Sequence, residues 1–169
     1  MQELFQRIGF CYEVMAMGIL RGAAAGFAAT IPMTVAMEGL RAALPREQLR
    51  RMPPREVVDS GIEQAGAGGE VDTEGRVLIT TVAHFAFGAA AGAVYGGLFR
   101  SRLRRMDGYT AAMSGIAYGV GVWALAYGVV LPSLGLHRAA TDDTKDRNEV
   151  LIASHVVWGA VLGRLAQPR

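Results

Sequence analysis

The stretch from Val77 to Phe99, VLITTVAHFAFGAAAGAVYGGLF, decides the fold class of this chain. Its 23 residues include no Asp, Glu, Lys or Arg, and the same is true of the 23 residues from Tyr109 to Leu131. A helix rises about 1.5 Å per residue, so each stretch can form a helix of about 35 Å, longer than the roughly 30 Å hydrocarbon layer of a bilayer. Both stretches therefore predict membrane-spanning helices.

Two further apolar stretches predict additional spans. Residues 22–40 contain Pro32, which predicts a kink, and Glu38, which can pair with Arg41 one turn later. Residues 150–166 are shorter and contain Arg164, whose long side chain can reach the head groups.

The N-terminal residues 1–20 are apolar but carry Glu13, and they predict an interfacial helix that leads into the first span. Between the first two spans, residues 54–65 (PREVVDSGIEQA) can form a short helix with Pro54 at its start. The predicted architecture of residues 1–169 is a single all-α domain. It is an integral membrane four-helix up-and-down bundle with spans at about 22–40, 77–99, 109–131 and 150–166.

Composition agrees with a membrane protein. Apolar residues make up 51% of the chain and charged residues 19%, whereas soluble domains carry about a quarter charged residues. Of the 17 cationic residues all but Lys145 are Arg, and they lie between the apolar stretches, as is typical of loop anchors and not of a nucleic-acid surface. The single cysteine, Cys11, excludes an internal disulfide and a cysteine-based zinc cluster.

The short turn RSRLRRMD at residues 100–107 predicts the orientation. It places four arginines within six residues and has one acid, Asp107. The positive-inside rule therefore puts this turn in the cytoplasm, together with both termini.

Each predicted span carries glycines four residues apart, a spacing that puts them on one helix face. Such small-residue ridges let two helix backbones approach closely, which predicts packing within the bundle or between protomers. The glycines are Gly18, Gly22 and Gly26; Gly88, Gly92 and Gly96; Gly115 and Gly119; and Gly159 and Gly163.

Two histidines occupy equivalent places in the second and fourth spans. His84 precedes Gly88 and Gly92 with the same spacing by which His155 precedes Gly159 and Gly163. In an up-and-down bundle these two helices run parallel, so both imidazoles should lie at a similar depth. An ionisable residue inside a span is a functional candidate. The residues could ligate haem, handle protons, or simply form hydrogen bonds inside the bundle.

Catalytic motifs are absent from the sequence. Ser114 and Ser154 lack the Gly-x-Ser-x-Gly setting of a nucleophile elbow, and no phosphate loop occurs. The acidic stretch TDDTKD at residues 141–146 lacks the spacing of a calcium loop. We therefore predict neither an enzyme nor a metal site.

Three stretches carry a family resemblance: HFAFGAAAGAVYGG at 84–97, AYGVGVWALAYGVVLPSLGL at 117–136 and RNEVLIASHVVWGAVLG at 147–163. Together with residues 21–45 and the later PPREVV, they resemble the YagU-like family of bacterial inner-membrane proteins, whose function is not established. The resemblance covers most of residues 21–163, and TDDTKD departs from the basic loop expected there. It implies a four-helix protein of a prokaryotic cytoplasmic membrane.

Three functional hypotheses follow from the sequence. The first, which the sequence favours because it needs nothing beyond small-residue packing, is a structural or accessory protein that assembles with copies of itself or with another membrane protein through the glycine ridges. The second is a carrier of haem or another cofactor on His84 and His155, and the third is a small transporter or proton pathway. Binding of a lipid or quinone between the helices is equally compatible with the sequence.

Overall fold

In a computed structural model of the chain, residues 1–44 and 53–168 are described, with the backbone alone for residues 2–14. Every regular element in these ranges is helical, which confirms the all-α prediction. The five helices are α1 (Gln2–Ala42), α2 (Pro53–Gln64), α3 (Thr73–Leu103), α4 (Gly108–Ser133) and α5 (Lys145–Leu165), with a short 3₁₀ turn at Ala140–Asp142 before α5.

Aspartates cap the first turns of the two most apolar helices. The Asp72 carboxylate accepts a hydrogen bond from the Gly75 N–H at the start of α3, at 2.8 Å. Asp107 does the same for the Thr110 N–H at the start of α4, also at 2.8 Å. Each cap satisfies one of the backbone donors that a helix leaves unpaired at its N-terminus.

The last part of α4 changes its hydrogen-bond pattern. The helix is π-helical over Ala126–Val130 and ends with Leu131–Ser133. Pro132 has no N–H to donate to the preceding turn, so the regular α-helical hydrogen bonds are interrupted there. The wider π-helical turn lies at this interruption.

Helix α1 is continuous from Gln2 to Ala42 and includes Pro32. The interfacial helix predicted over residues 1–20 and the first span predicted at 22–40 both lie on this helix, with no break between them. Arg21 and Gly22 lie where the two predicted parts meet. Both have a backbone N–H, so the α-helical hydrogen bonds can continue through them. Near the end of the helix the predicted ion pair is present, with Arg41 Nε 2.8 Å from Glu38 Oε2.

Among the described residues, three helical segments are long and apolar enough to cross a membrane. They are Met15–Ala42, Thr73–Leu103 and Gly108–Ser133. The fourth span predicted at residues 150–166 is not among them, and a four-helix membrane bundle is therefore not confirmed. Helix α5 falls short because the polar and charged side chains along it, including His155 and Arg164, lower its hydropathy.

The helices pack in antiparallel pairs. Gly18 and Gly26 of α1 lie against Gly96 and Gly88 of α3, so these two helices run in opposite directions. In the same way, Ala111 of α4 lies against Gly163 of α5.

Helix α1 also runs antiparallel to α5. Its Arg21 donates a hydrogen bond to the carbonyl of Gln167, just beyond α5, and the Trp158 indole of α5 donates to the carbonyl of Gly26. Buried residues from α1, α3, α4 and α5 meet in one apolar core that includes Ala29, Tyr95 and Leu162.

Large apolar side chains cover the outside of the long helices. Leu20, Val35, Leu78 and Leu98 are each between 64% and 70% exposed. Soluble monomers rarely expose apolar patches of this extent, whereas the surface of a membrane protein faces hydrocarbon. The outer surface thus agrees with the three candidate spans.

Candidate functional site

The three glycines of α1 and the three of α3 face each other. A Cβ atom placed on Gly22 would lie 2.8 Å from the Gly96 Cα, and one placed on Gly92 would lie 2.7 Å from the Gly26 Cα. Real Cβ contacts essentially never come this close. These positions therefore hold the two backbones at a distance that only glycine permits.

The four glycines of α4 and α5 form a second contact of the same kind. A Cβ on Gly115 would lie 2.8 Å from the Gly163 N, and one on Gly159 would lie 2.7 Å from the Gly115 carbonyl carbon. All ten glycines singled out from the sequence thus lie against another helix of the same chain. The glycine-bearing face of each helix is therefore covered by a neighbouring helix. The outward surfaces of the helices carry the larger side chains.

Helices α3 and α4 make few direct contacts, and a cavity of about 430 Å³ lies between them and the other helices. Two tyrosines bridge the gap: the Tyr95 hydroxyl lies 3.2 Å from Ser114 Oγ, and the Tyr118 hydroxyl donates to the Ala91 carbonyl at 2.8 Å. The cavity volume falls within the range of about 300–1,000 Å³ that is common for small-molecule sites.

The wall of this cavity is mainly apolar and draws on all five helices. Apolar side chains from each helix contribute to it, for example Met33, Val58, Phe87, Leu125 and Trp158. Such a lining favours an apolar ligand, because hydrocarbon removed from water gains roughly 25 cal/mol per Å².

His84 and His155 both line this cavity. The His155 Nδ1 lies 2.8 Å from the Leu151 carbonyl, which can only accept, so Nδ1 carries the proton. In a neutral His155 ring, Nε2 therefore carries the lone pair. For His84, the buried Nε2 has no hydrogen-bond partner among the described residues. Leaving a buried polar atom unpaired costs about 1–3 kcal/mol, which a ligand atom could recover.

A second, more polar pocket of about 440 Å³ opens beside α2. Its lining includes Glu38, Arg41, Arg55 and Thr81. His84 belongs to both this pocket and the apolar cavity. The sequence had suggested no role for Arg55.

Helix α2 covers the end of the apolar cavity that adjoins this polar pocket. It contributes Pro54, Val57 and Val58 to the cavity lining. Ion pairs hold α2 in place. Arg147 Nη2 lies 3.3 Å from Glu56 Oε2, and Arg76 Nη1 lies 3.0 Å from Asp59 Oδ1.

The Glu56 carboxylate has a second neighbour in His137, whose Nε2 lies 3.0 Å away. The His137 Nδ1 faces the Arg138 carbonyl at 2.7 Å, so both ring nitrogens point at acceptors. Sequence reasoning missed this network. One signal was available, because Glu56 and Asp59 are three residues apart and so share a face of the short helix.

Within the described ranges no group of three or more His, Cys, Asp or Glu residues is placed to hold a metal ion. Of the acids in the stretch 141–146, Asp143 pairs with Arg147 at 3.2 Å.

Comparisons with protein-family models, with curated proteins and with solved structures give no match to this chain. The class that the fold defines is a helical protein with three candidate membrane spans and an apolar cavity between its helices. The resemblance to the YagU-like family stays a prediction.

Proposed function

We propose that this chain is a multi-pass membrane protein that takes an apolar small molecule from the bilayer and binds it between its helices. The observation that carries the proposal is the combination found in one cavity: a mainly apolar wall and a buried, unpartnered His84 Nε2. Sites for small molecules commonly pair an apolar lining with a few polar groups that orient the ligand.

In this proposal α5 also crosses the membrane, which makes a four-helix up-and-down bundle. Ser154 and His155 on α5 are buried, so they are shielded from lipid by the neighbouring helices. The Arg-rich turn at residues 100–107 and both termini face the cytoplasm. A prokaryotic cytoplasmic membrane is the location that the YagU-like resemblance implies.

The glycine ridges support a role in folding the chain more than a role in assembly. Every glycine in them already lies against a helix of the same chain. A structural protein that met copies of itself or a partner would need another surface. For this reason we favour ligand binding over the structural or accessory role.

Haem ligation by His84 and His155 is a second candidate. Two observations favour it: both imidazoles line a single cavity, and the Leu151 carbonyl fixes the lone pair of His155 on Nε2. Detergent-purified protein should then show a Soret band that is lost in His84→Ala and His155→Ala. A colourless protein that stays colourless after incubation with haem would remove this candidate. The proton-pathway hypothesis stays a prediction.

The test of the proposed function uses the two tryptophans. Trp158 lines the cavity, whereas Trp123 does not. In a Trp123→Phe protein in detergent, a long-chain alcohol brominated along its chain should quench Trp158 fluorescence saturably. Unbrominated alcohol should reverse the quenching.

Filling the cavity provides the control variant. Ala83 lines the cavity but is exposed, so Ala83→Phe adds bulk without disturbing the buried core. We expect at least tenfold weaker binding in this variant. Quenching that rises linearly with alcohol concentration and is unchanged by Ala83→Phe would overturn the proposal.

A further inference from the structure

The polar pocket and the apolar cavity adjoin each other. They share four lining residues, one from α1, one from α2 and two from α3: Met37, Pro54, Thr80 and His84. A molecule that binds across these shared residues, between the ends of α1, α2 and α3, would have one end in the polar pocket and the other in the apolar cavity. Such a molecule would have a polar end and an apolar end, as an amphiphile has.

The described residues that line the polar end carry a surplus of positive charge. Arg41 is already paired with Glu38. Arg55 has a weaker connection, since its Nε is buried without a hydrogen-bond partner among the described residues and lies 3.8 Å from the Asp59 carboxylate. That carboxylate also receives the Arg76 guanidinium at 3.0 Å. Among the described residues, the pocket lining thus holds two cations, Arg41 and Arg55, and one anion, Glu38.

On the basis of the proposed function, we propose that the ligand is a single-chain amphiphile with an acidic headgroup. The headgroup binds the guanidinium of Arg55, whose side chain is partly exposed and is matched by a carboxylate or phosphate oxygen. His84 lines both pockets, so its ring lies beside the point where headgroup and chain meet. The chain fills the apolar cavity, whose volume suits one chain and not a bulky multi-chain lipid.

The experiment compares three brominated probes of equal chain length in the Trp158 quenching assay: a carboxylic acid, an alcohol and an amine. At neutral pH the acid should bind at least tenfold more tightly than the alcohol, and the amine more weakly than either. Arg55→Gln should remove the preference for the acid and leave alcohol binding unchanged. Arg105→Gln, an exposed arginine at the opposite end of α3, should change neither.

Each outcome distinguishes the two proposals. Saturable binding of acid and alcohol with equal affinity would overturn the acidic headgroup and keep the proposed function. If none of the three probes binds saturably, the proposed function itself fails. Should Arg55→Gln lose alcohol binding as well, Arg55→Lys decides: it must retain the preference for the acid, and equal affinities in that variant would overturn the role of Arg55.

Discussion

The indole Nε1 of Trp158 donates a hydrogen bond to the backbone carbonyl of Gly26 at 3.1 Å. The same carbonyl accepts from the Thr30 hydroxyl at 2.9 Å, and Gly26 lies against Gly92 of α3. One residue of α1 therefore contacts both α3 and α5. This contact links the two glycine-packed helix pairs beside the proposed binding cavity.

Replacing the indole should weaken this link. Trp158→Phe keeps an aromatic ring but removes the donor, and we expect a loss of about 1 kcal/mol of stability, in line with hydrogen bonds between membrane helices. Unfolding of the detergent-solubilised protein by a denaturing detergent measures the change. Trp123→Phe is the matched control, because Trp123 Nε1 is buried without a partner and its removal forfeits no bond within the described residues. Equal losses in both variants would contradict the role given to the bond.

Glycine contacts between α1 and α3 should tolerate no added methyl group. Gly92→Ala forces a Cβ against the backbone of Gly22 and Gly26, and we expect about 1–3 kcal/mol of destabilisation. Gly121 in α4 has open space around it, so Gly121→Ala should be neutral or slightly stabilising. The same unfolding assay compares the two. A neutral Gly92→Ala would show that α1 and α3 do not pack as closely as described.

The ion pairs of α2 should control access to the cavity. Glu56→Gln removes the charge that binds Arg147 and His137, so α2 should leave the cavity more often. In a Cys11→Ser background, Ala126→Cys places a thiol in the cavity wall. We expect a water-soluble thiol reagent to modify it several-fold faster in the Glu56→Gln protein.

The control for that experiment lies on α5. Glu149 pairs with Lys145 on an exposed surface, at 3.7 Å, and Glu149→Gln should leave the modification rate unchanged. If Glu56→Gln also leaves the rate unchanged, α2 does not close the cavity.

Acid should weaken the start of α4 through Asp107. The hydrogen bond from the Thr110 N–H lowers the pKa of this carboxyl below its ordinary value of 3.8. Because the pKa is lower in the folded than in the unfolded chain, the stabilisation is fully present at neutral pH and is lost as pH falls through the folded value. Thermal unfolding between pH 7 and pH 3 should show this loss, and Asp107→Asn, which keeps an oxygen acceptor, should reduce it. An identical pH profile in the two proteins would refute the effect.

Much of the helical layout could be predicted from local sequence. The uncharged stretches beginning at Val77 and Tyr109 mark α3 and α4, and Pro54 correctly placed the start of the short α2 to within one residue. Glycine spacing predicted one packing face on each helix, because a period of four is a property of a single helix. It did not indicate which helices face each other.

The remaining features depend on tertiary structure. The pair between Glu56 and Arg147 joins residues 91 positions apart, and nothing local to either residue predicts it. The cavity arises because α3 and α4 stay apart, which follows from how each packs on α1 or α5. The fourth span was predicted from the apolar character of residues 150–166. The polar residues Ser154 and His155 of this helix are buried against neighbouring helices, a contact that the local sequence does not indicate.

The most direct test of the account is to locate a bound chain in the membrane itself. Membranes that contain the protein are loaded with a long-chain alcohol carrying a diazirine along its chain, irradiated, and the labelled residues are mapped by mass spectrometry. Trp158 is 2% exposed, and Leu98 on the outer surface is 70% exposed. The account predicts labelling at Trp158 that excess unlabelled alcohol suppresses and that Ala83→Phe abolishes. Labelling confined to outward residues such as Leu98, with none at Trp158, would contradict it.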